Sequence, residues 1–158
     1  PINSLRKDLR NTNGYEYSYE CLTDIRIFCK KYNIATWICC HAVTNALRNK
    51  HTGNHDFSGQ PMPPSIGDAE GGAVNANRAD DFLIIHRYIY SPDSWMYTRL
   101  FVAKVKMQEL GYKPTSYESP IMFKSILNNV GFEIGGHNLI KYKTKKQLTI
   151  DNTRKDSK

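Results

Sequence analysis

Long apolar runs are missing from this chain. No stretch approaches the ~18–20 uncharged apolar residues that span a bilayer, so no membrane partner is expected. Residues Pro1 to Arg10 carry charge where a secretory leader would carry an apolar core, so no leader is expected either. Cysteine is sparse: Cys21, Cys29, Cys39 and Cys40, with no C-x-x-C pair. His51 and His55 beside Cys39 or Cys40 make the nearest approach to a zinc set, but the residues between are rich in Gly and Asn rather than helical. No metal is therefore expected, and the thiols read as reduced and mostly buried, as in a cytoplasmic protein. Glycine-rich phosphate loops are also absent. Neither G-x-x-x-x-G-K-[ST] nor G-x-G-x-x-G occurs, so the chain by itself has no evident nucleotide cradle.

What is present is positive charge on a globular composition. The 158 residues hold 22 Lys+Arg against 15 Asp+Glu, a net +7, with 40% hydrophobic and 11% aromatic residues. This length suits one compact domain, and the composition argues against wholesale disorder. The cations crowd toward the end: Lys141, Lys143, Lys145, Lys146, Arg154, Lys155 and Lys158 face only Asp151 and Asp156. Residues 1–143 read as the folded part and 144–158 as a basic flexible tail, either solvated or an accessory contact to phosphates. The chain starts with Pro1 rather than Met, which suggests a piece of something longer.

Apolar spacing of three to four residues predicts a helix from Tyr15 to Tyr32, with Glu16, Glu20 and Asp24 toward its start and Lys30 and Lys31 at its end, as the helix dipole favours. Asn33 closes it. Ile34 to Cys40 then runs apolar without alternation, the pattern of a strand buried on both faces in a parallel sheet. Ala42 to Ile66 reads as a long loop, functional or disordered, and Asp68 to Ala79 as irregular helical turns. Strands are expected over Asp81 to Tyr88 and Tyr97 to Lys106, with Ser119 to Lys124 as hairpin partner of the latter. Phe132 to Ile134 and Leu139-Ile140 are further strand candidates. The order predicts an α/β fold: the later half of a domain, with buried parallel strand(s) extended by antiparallel hairpin strands.

Several segments taken together resemble DnaB-like and Twinkle-like replicative hexameric helicases. Ile25 to His41 resembles the helix and strand that follow the Walker B strand of their RecA-like core. Pro64 to Asp81 is similar to their "G-S-G … N-K-A-D-N" stretch. Phe82 to Arg87 matches the strand written x-L-x-V-x-R, and Val102 to Lys106 the one ending in K-x-R. Pro1-Ile2-Asn3 looks like the residues just after a Walker B aspartate. The resemblance covers roughly residues 1 to 125 and implies the C-terminal half of a RecA-like core.

The resemblance also implies roles. His41, at the tip of the strand after Walker B, would sense the γ-phosphate of ATP. Lys104 and Lys106 would act as a finger on the neighbouring subunit's ATP, although the family's second residue is usually Arg and lysine gives no bidentate fork. Arg87 and Arg99 are reserve fingers. Ala42 to Ile66 and Met107 to Tyr117 would line the channel of a homo-oligomeric ring, a hexamer in this family. There Arg48, Lys50, His51, His55 and Lys113 would track the phosphates of single-stranded DNA, with Tyr112 and Tyr117 able to stack on bases. ATP and Mg2+ are implied for the full-length protein and not for this chain alone, in a bacterial or phage-infected cytoplasm. The other readings are a non-catalytic nucleic-acid-binding or assembly module that keeps the half-fold, and a RecA-type recombinase relative.

Overall fold

The computed structural model describes residues 13–110, 112–126 and 131–138. The first element, α1 (Gly14–Tyr32), begins where Asn13 supplies a cap. The Asn13 side-chain oxygen accepts from the backbone N–H of Tyr15 (3.0 Å) and of Glu16 (2.9 Å), and the Glu16 carboxylate accepts back from the Asn13 N–H. That reciprocal pair satisfies donors a helix start otherwise leaves open. The helix stops at Asn33, which turns left-handed (φ 51°, ψ 50°) and donates its N–H to the Cys29 carbonyl. Asn tolerates that conformation better than most residues.

Five strands follow in one sheet: β1 (Asp81–His86), β2 (Tyr97–Val105), β3 (Ile121–Ser125), β4 (Phe132–Ile134) and β5 (His137–Asn138). Their spatial order is their chain order, and every pairing is antiparallel. A short helix, α2 (Ala73–Arg78), precedes the sheet. It packs on α1, where the Arg78 guanidinium lies over the Tyr19 ring at 3.8 Å from its centroid. The buried apolar residues are Leu22, Ala46, Ala69, Val74, Ile84, Tyr88 and Phe101, drawn from α1, the long loop, α2 and the first two strands. No helix among the described residues is long and apolar enough to cross a membrane.

The α/β expectation is overturned. The sheet is wholly antiparallel, and residues 34–40 belong to no strand. Trp37 is 78% exposed, and Ile34 and Ile38 are exposed beside it. The run has the composition of an interior strand, but a strand forms only where neighbours supply backbone partners. Here β1, β2 and β3 pair with one another in chain order, and no described segment pairs with 34–40. The RecA-like half-fold is therefore not the architecture of the described residues. The helix, the three hairpin strands and the Phe132–Ile134 strand do form where periodicity placed them, whereas Leu139-Ile140, the 144–158 tail and Pro1 to Asn3 lie outside the described residues.

The cap gives a direct stability test. Asn13→Ala is expected to lower unfolding free energy by about 1 kcal/mol in urea titration, with fraying read by circular dichroism; Asn13→Asp, which can still accept both bonds, is expected to stay close to wild type.

Candidate nucleic-acid interface

The segment from Ala42 to Ile66 is long and irregular, yet its backbone is tied. Lys50 and Pro61 form an antiparallel bridge. On either side of it His51 N–H donates to the Gln60 carbonyl (3.0 Å), Gly59 N–H to the His51 carbonyl (2.9 Å) and Met62 N–H to the Asn49 carbonyl (2.8 Å). Gly59 sits at φ +80°, where a side chain would be strained, and closes the tip of this small ladder.

Rings fasten the ladder to the sheet. Phe57 stacks on Tyr88, just after β1, with centroids 3.7 Å apart and planes 5° apart. His51 Nε2 and the Tyr88 hydroxyl share a 2.8 Å hydrogen bond, and His55 stacks on His51 at 3.8 Å. The Arg99 guanidinium of β2 lies 4.7 Å from the Phe57 centroid and 4.6 Å from that of Tyr88. His86 of β1 meets Tyr88 edge-on. The guanidinium is nearly equidistant from the two stacked centroids and so sits beside the pair.

This packing disfavours the charged form of His86 and His51. Burial first, then the Arg99 charge, pushes His86 from its ordinary 6.5 down to about 4; His51 adds to that, and a hydrogen bond to the Pro61 backbone opposes it. Burial and the neighbouring His55 lower His51 as well. Burial lowers Arg99 and raises Tyr88.

The residues expected to meet phosphate divide into two groups. Arg48, Lys50 and Lys113 have exposed side chains, and no ion pair or hydrogen bond engages them among the described residues. His51 is instead an anchor, occupied by Tyr88, and His55 is stacked upon it. The second loop folds back along β2: Thr115 N–H donates to the Val102 carbonyl (3.0 Å), and Val102 N–H donates to the Thr115 hydroxyl (2.9 Å). Its Tyr117 hydroxyl then donates to the Pro64 carbonyl of the first loop at 3.2 Å. A cavity of about 350 Å³ lies where the two meet, walled by Ser65 and Ile66 from one and Thr115 and Tyr117 from the other. Tyr117 is thus engaged in packing, while Tyr112 is 68% exposed.

The residues expected around ATP are not assembled. The side chain of His41 is exposed, and its carbonyl accepts from Glu70 N–H at 2.7 Å. Lys104 donates to the Ala76 (2.7 Å) and Ala79 (2.9 Å) carbonyls, capping the end of α2. Lys106 is paired with Asp80 at 2.7 Å, and Arg26 approaches the same oxygen at 3.4 Å. The Lys106 hydrogen bond holds the Asp80 carboxyl below its usual value; burial opposes it, and the charges of Lys106, Arg26 and Lys104 add to the lowering. Arg87 donates to the Trp95 carbonyl and Arg99 lies beside the ring stack. Phe57, His86 and Tyr88 escaped the sequence reading because nothing in their spacing shows that a distant loop closes on the end of β1.

Neither family models nor curated proteins nor solved structures match this chain. The helicase resemblance therefore rests on the residues quoted above.

Two tests address this geometry. Lys104→Met leaves two carbonyls without an ammonium donor and is expected to destabilise by about 1–3 kcal/mol in urea unfolding. Lys106→Met breaks a half-exposed pair and is expected to lose no more than about 1 kcal/mol. For His86, the unfolded chain binds a proton near pH 6.5 and the folded chain only near pH 4. Its contribution is fully present above about 6.5 and is lost as pH falls toward 4. The ring is partly open, so the loss is expected at about 1–2 kcal/mol rather than the full value of the shift. His86→Phe is expected to flatten the pH dependence of the thermal midpoint across that window.

Proposed function

We propose that this chain grips single-stranded DNA through segments 42–66 and 107–117, as the DNA-contacting portion of an ATP-dependent replicative helicase. The observation that carries the reading is the Tyr117–Pro64 hydrogen bond, which joins the two segments that the resemblance implies would touch DNA. On the joined segments Arg48, Lys50 and Lys113 project without internal partners, as cations that exchange condensed counterions for phosphate contacts do. The net charge of +7 adds long-range attraction for a polyanion.

The motor half of this reading comes from the resemblance alone. ATP and Mg2+ would be held by a phosphate loop that the chain does not contain, in a homo-oligomeric ring acting in a bacterial or phage-infected cytoplasm. The proposal leaves out Lys104 and Lys106 as fingers and His41 as sensor, because the first two are bound within the chain and the third is joined to neither. A second reading, a nucleic-acid-binding module without catalysis, is favoured by that same internal engagement of Lys104 and Lys106. The two readings share the DNA contact and differ in whether a longer form turns over ATP.

The test is fluorescence anisotropy of a labelled oligothymidylate against the chain over a salt series, alongside an ATPase assay. Replacing Arg48, Lys50 and Lys113 together by Gln is expected to weaken binding and to reduce the slope of log affinity against log salt by about 2, as loss of three single-strand phosphate contacts requires. The chain alone is expected to hydrolyse no ATP. Binding that ignores salt, or that the triple variant leaves unchanged, would sink the DNA-gripping assignment.

A further inference from the structure

We propose that an open cavity between the Lys50–Pro61 ladder and the turn after β1 is a subsite for one unstacked nucleobase and its adjoining phosphate. This rests on the single-strand reading above and deepens it, because tracking phosphates needs no contact to a base. The cavity has a volume of about 580 Å³ and is lined by Lys50, Ser58, Gly59, Gln60, Pro61 and Tyr90, within the range of small-ligand pockets.

Its chemistry fits a nucleotide unit. Tyr90 is 75% exposed, and its ring stacks on nothing among the described residues, whereas Tyr88, two residues earlier, is 4% exposed and held by His51, Phe57, His86 and Arg99. A bare ring beside a cavity is a surface on which any base can stack. Lys50 brings a cation to the same wall and Ser58 a hydroxyl, while the Gln60 carboxamide oxygen is buried with no hydrogen-bond partner among the described residues. No carboxylate lines the cavity, so nothing there repels a phosphate.

The walls are also placed in advance. The bridge between Lys50 and Pro61 and the His51–Gln60 and Gly59–His51 hydrogen bonds set the ladder, and the ring stack behind it sets its distance from β1. A Cβ built on Gly59 would meet no atom within 4 Å, so that wall is open to a ligand approaching the backbone. The base would lie against Tyr90 and Pro61, with its phosphate on Lys50.

The experiment compares oligothymidylate with an abasic oligonucleotide of equal length at fixed salt. Wild type is expected to prefer the base-bearing strand about five- to tenfold. Tyr90→Ala is expected to abolish that preference while leaving abasic binding unchanged, and Tyr90→Phe to keep it. Circular dichroism checks that the variants are folded. Equal affinity of wild type for the two strands, or a preference surviving Tyr90→Ala, overturns the subsite and leaves the phosphate-gripping reading standing. If neither strand binds, both fall. Free thymidine monophosphate saturating the chain without any oligonucleotide binding also overturns the subsite, in favour of a mononucleotide site.

Discussion

One stack of rings, Phe57 on Tyr88 with Arg99 against both, fixes the longest irregular segment of the described residues to the edge of the sheet. Everything offered as an interface depends on it. The hydrogen bonds of the small ladder around Lys50 and Pro61 set its own shape, but none of them attaches it to β1. The attachment is aromatic and cationic, with the His51–Tyr88 hydrogen bond and the hydrogen bond of His86 to the Pro61 backbone as its directional elements. His51 is held by Tyr88 and His55 is stacked on His51, so these two loop histidines contribute packing, while Arg48, Lys50 and Lys113 keep exposed side chains.

Much of the secondary structure was legible because its causes are local. Asn13 and Glu16 announce the start of α1 and Asn33 its end, all within a few residues of the bonds they make. The alternation in Tyr97 to Lys106 describes β2 because both of its partners are its neighbours in chain order. Residues 34–40 were misread for the opposite reason: a run of Ile, Ala, Thr and Trp states a preference for extended backbone, but the strand exists only if something pairs with it. Its apolar composition said nothing about whether such neighbours were at hand.

The candidate site was legible in charge and not in use. Lysines interleaved with apolar residues on β2 look the same in sequence whether their ammonium groups face a ligand, a helix end or a carboxylate. Lys104 closes the last turn of α2 and Lys106 neutralises Asp80, and both facts depend on where α2 and Asp80 come to rest. The two loops meet at one hydrogen bond, Tyr117 to Pro64. What does not survive among the described residues is the parallel sheet that would have placed His41 beside the cationic strand end.

The bareness of Trp37 has a practical meaning. The chain contains two tryptophans, and one of them stands 78% in water on a stretch, 35–40, whose backbone makes no hydrogen bond among the described residues. An indole so placed emits at the red end of its range and moves blue when covered, with Trp95 as a half-exposed background. The molecule thus carries its own optical probe for any event, folding against further sequence included, that brings company to that stretch.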